Sequence, residues 1–236
     1  MANTTTSSFI HYPLSHGMLA NMATDTYPTQ LWGCAEESLH LPDDATHFGY
    51  VHEGTLTVEH AAGAFKLGAG MYFSAPGKTT VHGDGKGIAI SRLGTHGFFN
   101  VGGPVEEKGR LKYIDGCTDS LLIAPVMMGD SCLNLLYFPP GVDQTQHTHP
   151  SMRVGIVIRG EGECITPEGT IPLVPGRVFV IPAECSHGFR TTWSEMSVIA
   201  YHPDSDFGPT HEAHPMINRT IVNGVSANAI DEIRTR

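Results

Sequence analysis

Three histidines carry the clearest chemistry in this chain. His147 and His149 stand two residues apart in GVDQTQHTHPSMRVGIVIRG, and His187 follows in GRVFVIPAECSHG. In an extended strand, residues i and i+2 point to one face, so His147 and His149 project together. His187, beyond the turn at Pro182, offers a third imidazole from a neighbouring strand. Imidazole nitrogens ligate Zn, Fe, Ni, Cu and Mn-type cations, and three of them leave positions open for oxygen ligands. A Gln-His-Thr-His run by itself is more often a solvated strand. Here Gly141, Gly160, Gly176 and Pro182 frame it at positions where strands must turn. The expectation is one divalent metal on His147, His149 and His187.

Such a site needs short strands around it, and the sequence is built of them. GTLTVEH, AFKL and GMYFSAP in the first half, then SCLNLLYF, RVGIVIRG, GECITPEG, RVFVIP and MSVIAYHP, are short, rich in β-branched and aromatic residues, and closed by Gly or Pro. Helical patterning is confined to two candidates, LSHGMLANMA and AIDEIRTR. An internal repeat is visible. Gly54 and Gly70 are 16 residues apart, as are Gly160 and Gly176, and Pro76 and Pro182 each follow by six, so the halves align at an offset of 106. The expected organisation is an N-terminal arm (1–30), a first barrel (31–101), a connection (102–119), a metal-binding barrel (120–203) and a C-terminal tail (204–236).

The second half resembles the cupin superfamily. Its first motif joins a Gly, an HxH pair, a Glu and a Gly; its second joins a Gly, a PxG turn, a His and an Asn. Gly141, His147, His149, Gly160, Gly176, Pro182 and His187 fall on those positions. The resemblance implies an all-β fold of two tandem jelly-roll barrels with few short helices, the first one degenerate. Three positions depart from the pattern: Arg153 stands where the Glu ligand is usual, Glu184 replaces the Gly of the turn, and Thr191 stands at the Asn. A guanidinium cannot ligate a cation. Glu184 is therefore a candidate fourth ligand or general base, against the alternative of a solvated turn residue. Arg153, if it keeps the inward direction of the Glu, is a candidate catalytic fork for a substrate carboxylate or enolate. The alternative is an Arg paired with Glu184 or another acid at the rim.

At the same offset the first half offers Leu41, Asp43 and Val81 where the second has its histidines. Only His47, opposite Arg153, and the near-miss His82 remain, so a site from His47, His52 and His82 is the lesser expectation. The tail residues His202, Asp204, Asp206, His211, Glu212 and His214 have ligand chemistry but no defensible spacing, and prolines extend them. They are read as a strap or subunit contact. Cys164 and Cys185 are read as buried small hydrophobes.

Composition narrows the partners. The net charge is −10 with no basic block, which argues against nucleic acid and anionic membranes. No stretch reaches the length of a membrane span, and no signal-like segment is seen. Five cysteines without a CxxC pair suit reduced thiols in the cytoplasm. The resemblance implies metal enzymes of several kinds. The expectation is a dioxygenase with Fe(II) on a small carbonyl, enol or carboxylate-bearing compound. Against it stand a non-redox isomerase, lyase or hydrolase with Mn(II), Ni(II) or Zn(II), and a non-catalytic metal or ligand sensor. A homodimer is expected, since barrels with edge strands pair to cover them.

Overall fold

The apolar runs become strands because both of their faces are buried. Along Met196–His202, Met196, Val198 and Ala200 enter one apolar cluster, while Ile199 and Tyr201 enter another. Along Arg153–Gly160, Val157 faces the first cluster and Val154, Ile156 and Ile158 the second. Strands without a solvent face read as continuous hydrophobics rather than as an alternation. The structure is a computed structural model that describes residues 8–205 and 220–233.

Four sheets build two jelly-roll barrels. In the first barrel a six-stranded sheet runs Asn100–Gly102, Tyr72–Pro76, Ala45–Glu53, Lys86–Leu93, Thr29–Ala35, Gly17–Met22. It faces the strands Leu39–His40, Thr80–Gly83, Thr55–His60 and Gly63–Gly68, with Leu56, Val58, Leu67, Phe73 and Val81 in the cluster between. In the second barrel a seven-stranded sheet runs Ile10–Pro13, Arg177–Ile181, Arg153–Gly160, Met196–His202, Cys132–Phe138, Thr118–Ile123, Leu111–Lys112. It faces Gly169–Leu173, Gly162–Thr166 and Gly188–Arg190 across Phe138, Phe179, Phe189 and Met196.

The outer faces of the two large sheets share one core. Leu31, Phe48, Tyr50, Ile88 and Ile90 of the first pack with Val154, Ile156, Val178, Val180, Ile199 and Tyr201 of the second. The Phe48 and Tyr201 rings lie 5.2 Å apart. Each fully buried aliphatic of this kind is worth about 1.5–3 kcal/mol over its exposed state, so the barrels support each other. Ile10–Pro13 strengthens the join. It pairs with Arg177–Ile181 of the second barrel while Gly17–Met22 pairs with Thr29–Ala35 of the first.

Two sequence expectations change here. LSHGMLANMA is not a helix: Gly17–Met22 is a strand, with Met18 opposite Trp32 and Ala20 opposite Leu31. Its six residues carry a Gly and an Asn, and the open sheet edge supplies hydrogen bonds that a short helix cannot match. AIDEIRTR forms only the 3-10 turns Ala227–Ala229 and Asp231–Ile233, and residues 234–236 lie outside the described residues. Among the described residues no helix is long and apolar enough to cross a membrane.

The offset of 106 recurs in the geometry. Gly54 and Gly160 have φ of +63° and +65°, and Gly70 and Gly176 +85° and +80°, values that favour glycine. A further pair appears only in three dimensions. The Phe73 ring fills the space that a side chain at Gly49 would occupy, and Phe179 does the same at Gly155.

Candidate metal centre

His147, His149 and His187 converge. Their ring centroids are 4.9, 4.6 and 5.2 Å apart in the three pairings. One ligand nitrogen from each lies within 4.8 Å of the others. The segment that carries His147 and His149 is extended rather than a regular strand. It is held by its backbone to the His187 turn: Gln144 N donates to Phe189 O at 3.0 Å, and Glu184 N to His149 O at 2.8 Å. His147 and His187 form an isolated antiparallel bridge.

The residues present fit a metal. His147 Nδ1 meets Thr145 O at 2.7 Å and His187 Nδ1 meets Cys185 O at 2.9 Å. A carbonyl takes only an N–H, so each contact fixes the proton on Nδ1 and leaves Nε2 as a lone pair, the arrangement typical of metal-bound histidine. Burial pushes His149 down to about 3, with Arg153, His187 and His147 adding to it, and His187 down to about 4 against the Cys185 carbonyl. Both rings are therefore neutral near pH 7, the form in which imidazole ligates.

Glu184 does not join them. It is absent from the set of potential ligands that meet among the described residues. Its side chain is exposed and accepts a hydrogen bond from Thr148 Oγ1 at 3.3 Å. The residue has φ +59°, a left-handed backbone that favours glycine. The expectation of Glu184 as a fourth ligand finds no support in this arrangement.

Arg153 lines a cavity of about 50 Å³ together with the three histidines. Its Nη1 donates to Met152 O at 2.9 Å and lies 3.5 Å from Asp204 Oδ1. Asp204 also accepts from the Ser151 hydroxyl. The partner acid is thus Asp204, not Glu184. Phe138, Phe179, Ile181, Phe189 and Val198 make the rest of the lining largely apolar.

Sequence reasoning missed several cavity residues. Asp119 receives both of its hydrogen bonds from Asn134 Nδ2, at 3.0 and 2.8 Å, and desolvation raises its carboxyl nonetheless. Tyr113 stands nearby, its hydroxyl raised by burial and by Asp119. His202, grouped by sequence with the tail, ends a core strand and faces the cavity, and desolvation lowers it well below its ordinary value. The signal available was strand parity, since Met196, Val198, Ala200 and His202 alternate inward. Asp206, His211, Glu212 and His214 lie outside the described residues.

The first barrel brings no such set together. His47 is buried against Ser91 Oγ at 2.8 Å and Gly77 O at 3.0 Å, while His82 pairs with Glu59 at 3.2 Å. Neither they nor His52 form a ligand group among the described residues. All five cysteines are buried and unpaired; desolvation pushes Cys164 up to about 12 and raises Cys185, so neither is a thiolate near the site.

Residues 134–202 match the family described as the cupin domain. No curated protein sequence is significantly similar to the chain. Several solved structures share its fold. The putative glyoxylate induced protein from Pseudomonas aeruginosa aligns with a TM-score of 0.64 at 15% identity, over 86% of this chain and 91% of that one. The cupin 2 conserved barrel domain protein from Leptotrichia buccalis gives 0.58 at 14%, over 86% and 92%. Salicylate 1,2-dioxygenase from Pseudaminobacter salicylatoxidans gives 0.59 at 12%, over 79% and 75%. Residues 134–202 are thus a cupin domain, in a chain whose two barrels have the cupin jelly-roll fold.

Proposed function

We propose that the second barrel is a metal-dependent enzyme, a dioxygenase acting on a small carbonyl, enol or carboxylate-bearing compound. The observation that carries this reading is the convergence of three imidazoles beside a mostly apolar cavity, with no carboxylate in the group among the described residues. His147, His149 and His187 would hold the metal, with Fe(II) favoured. When bound, such a metal supplies the redox chemistry that activation of dioxygen requires and that side chains lack. The rest falls to the chain itself. The phenylalanines exclude water from the reacting atoms. Arg153 offsets the charge of the substrate. Asp119, rather than Glu184, is the carboxylate that faces the substrate, and its raised pKa suits it to accept a proton. The salicylate dioxygenase of like fold, solved as an adduct with gentisate, is consistent with acidic oxygenated substrates in a barrel of this kind.

Asp119 also favours a second reading, a non-redox isomerase, lyase or hydrolase with Mn(II), Ni(II) or Zn(II). A buried base beside a Lewis acid needs no dioxygen. Oxygen consumption separates the two. Protein purified without added metal is assayed for Fe, Mn, Ni and Zn, then for oxygen uptake on small oxo acids, diketones and hydroxy ketones. Turnover that stops under anaerobic conditions supports the dioxygenase; equal rates with and without oxygen eliminate it.

A further inference from the structure

The cavity wall holds an unused recognition edge. Val154 pairs with Tyr201, so the next residues of these two strands, Arg153 and His202, stand side by side on the interior face, and both line the cavity. Among the described residues, every hydrogen bond of the Arg153 guanidinium leaves from Nη1: to Ser151 O at 3.3 Å, to Met152 O at 2.9 Å, to the Ser151 hydroxyl and to Asp204 Oδ1 at 3.5 Å. Nε is buried with no partner, and none is found for Nη2 among the described residues. The Nε–Nη2 edge is one of the two forks by which a guanidinium grips a carboxylate through parallel hydrogen bonds. A buried donor left without an acceptor costs free energy that a ligand there would recover. The His202 ring also has no hydrogen-bond partner among the described residues. Held neutral by burial, it offers one donor and one acceptor.

The first barrel shows the same positions closed. His47, at the offset of 106 from Arg153, is in register with Ser91. His47 Nε2 donates to Gly77 O at 3.0 Å, the Ser91 hydroxyl donates to His47 Nδ1 at 2.8 Å, and Ser91 Oγ accepts from Trp32 Nε1 at 3.1 Å. There the polar pair is satisfied internally; in the second barrel it is left open to a cavity.

We infer that the Nε–Nη2 edge of Arg153 and the ring of His202 form a carboxylate-binding pole, and that the substrate is a compact 2-oxo or 2-hydroxy monocarboxylate. This rests on reading the site as a metal-dependent enzyme. Arg153 takes the carboxylate, and His202 complements the oxygen on the next carbon. The cavity, at about 50 Å³, sits between the roughly 10–15 Å³ that one water needs and the roughly 150 Å³ of a cavity that admits benzene. It therefore suits a compact ligand and none larger than benzene. Asp119 on the same lining repels a second carboxylate.

Calorimetric titration of the full chain, metal-free and Zn(II)-loaded, with pyruvate, lactate and the uncharged pyruvamide tests this. Pyruvate and lactate are expected to bind at least about tenfold tighter than pyruvamide in both forms. His202→Leu is expected to weaken pyruvate by about tenfold with Zn(II) content unchanged, and His202→Gln to restore most of it. Equal affinity for pyruvate and pyruvamide overturns the inference, as does no measurable binding of pyruvate or lactate. Pyruvate binding that needs Zn(II) and ignores His202→Leu overturns it too, since the carboxylate would then sit on the metal. A chain that takes up no Zn(II) yet still prefers pyruvate keeps the carboxylate pole and removes the metal centre. If His202→Leu does not fold, the pyruvate-to-pyruvamide ratio of the unmodified chain decides.

Discussion

His147 and His187 are tied to each other through their backbones: His147 N donates to His187 O at 2.9 Å, and His187 N donates to His147 O at 3.0 Å. The bridge sets their rings 4.6 Å apart before any cation arrives. Ordering that a ligand does not have to impose strengthens its binding.

His149 should therefore be separable from the fold. Its side chain is half-buried, and its backbone meets the turn through a single bond, Glu184 N to His149 O at 2.8 Å, rather than through a paired bridge. His149→Ala is expected to reduce metal content from near one equivalent to a small fraction, with a stability change of about 1 kcal/mol or less in the metal-free chain. Elemental analysis and a urea titration check both halves. Full metal content in the variant would remove His149 from the site.

Glu184 offers the complementary case. Its left-handed backbone, φ +59°, costs a side-chain-bearing residue about 1 kcal/mol, roughly offset by the greater freedom of an unfolded glycine. Glu184→Gly should leave stability within about 1 kcal/mol and metal content unchanged. Loss of metal in that variant would return Glu184 to the ligand set.

Gly155 tests the packing behind the site. The Phe179 ring occupies the volume that a β-carbon would need there, and Phe179 also lines the cavity. Gly155→Ala is expected to cost about 1–3 kcal/mol through overpacking, read from urea midpoints. Gly49→Ala should behave alike in the first barrel, against Phe73. Unchanged midpoints in both would show that these rings are not fixed.

Acid should destabilise the chain through its buried histidines. Desolvation lowers His47 to about 4 in the folded barrel, against the Gly77 carbonyl. Unfolded, the same ring protonates near its ordinary 6.5, so between these values the unfolded state binds the extra proton. The stability tied to His47 is complete above pH 6.5 and is lost as pH falls toward 4, about 3 kcal/mol in all. His202, lowered in the same direction, adds to the trend. Urea midpoints measured from pH 7.5 down to 4.5 should fall; a flat or rising profile would contradict this.

Much of this architecture is legible in sequence, and the gaps have physical causes. The motif frame locates His147, His149 and His187 because glycine at positive φ and a strand period of two are strong local constraints. Strand type in the second half is legible because both faces are buried. Gly17–Met22 misleads, since its pairing partner lies elsewhere in the chain and a sheet edge overrides weak helical spacing. His202 escapes because proline and acidic neighbours make its segment look like a tail, although strand parity from Met196 already turns it inward. Asp119 and Tyr113 reach the cavity only through long-range pairing of Thr118–Ile123 with Cys132–Phe138, which no local pattern reveals.

The central claim is that three imidazoles hold one cation. X-ray absorption at the Zn K-edge on the Zn(II)-loaded chain tests it most directly. The expected result is three imidazole nitrogens at about 2.0–2.1 Å with oxygen completing the shell. A shell with one imidazole or none, or a thiolate at about 2.3 Å, would contradict it.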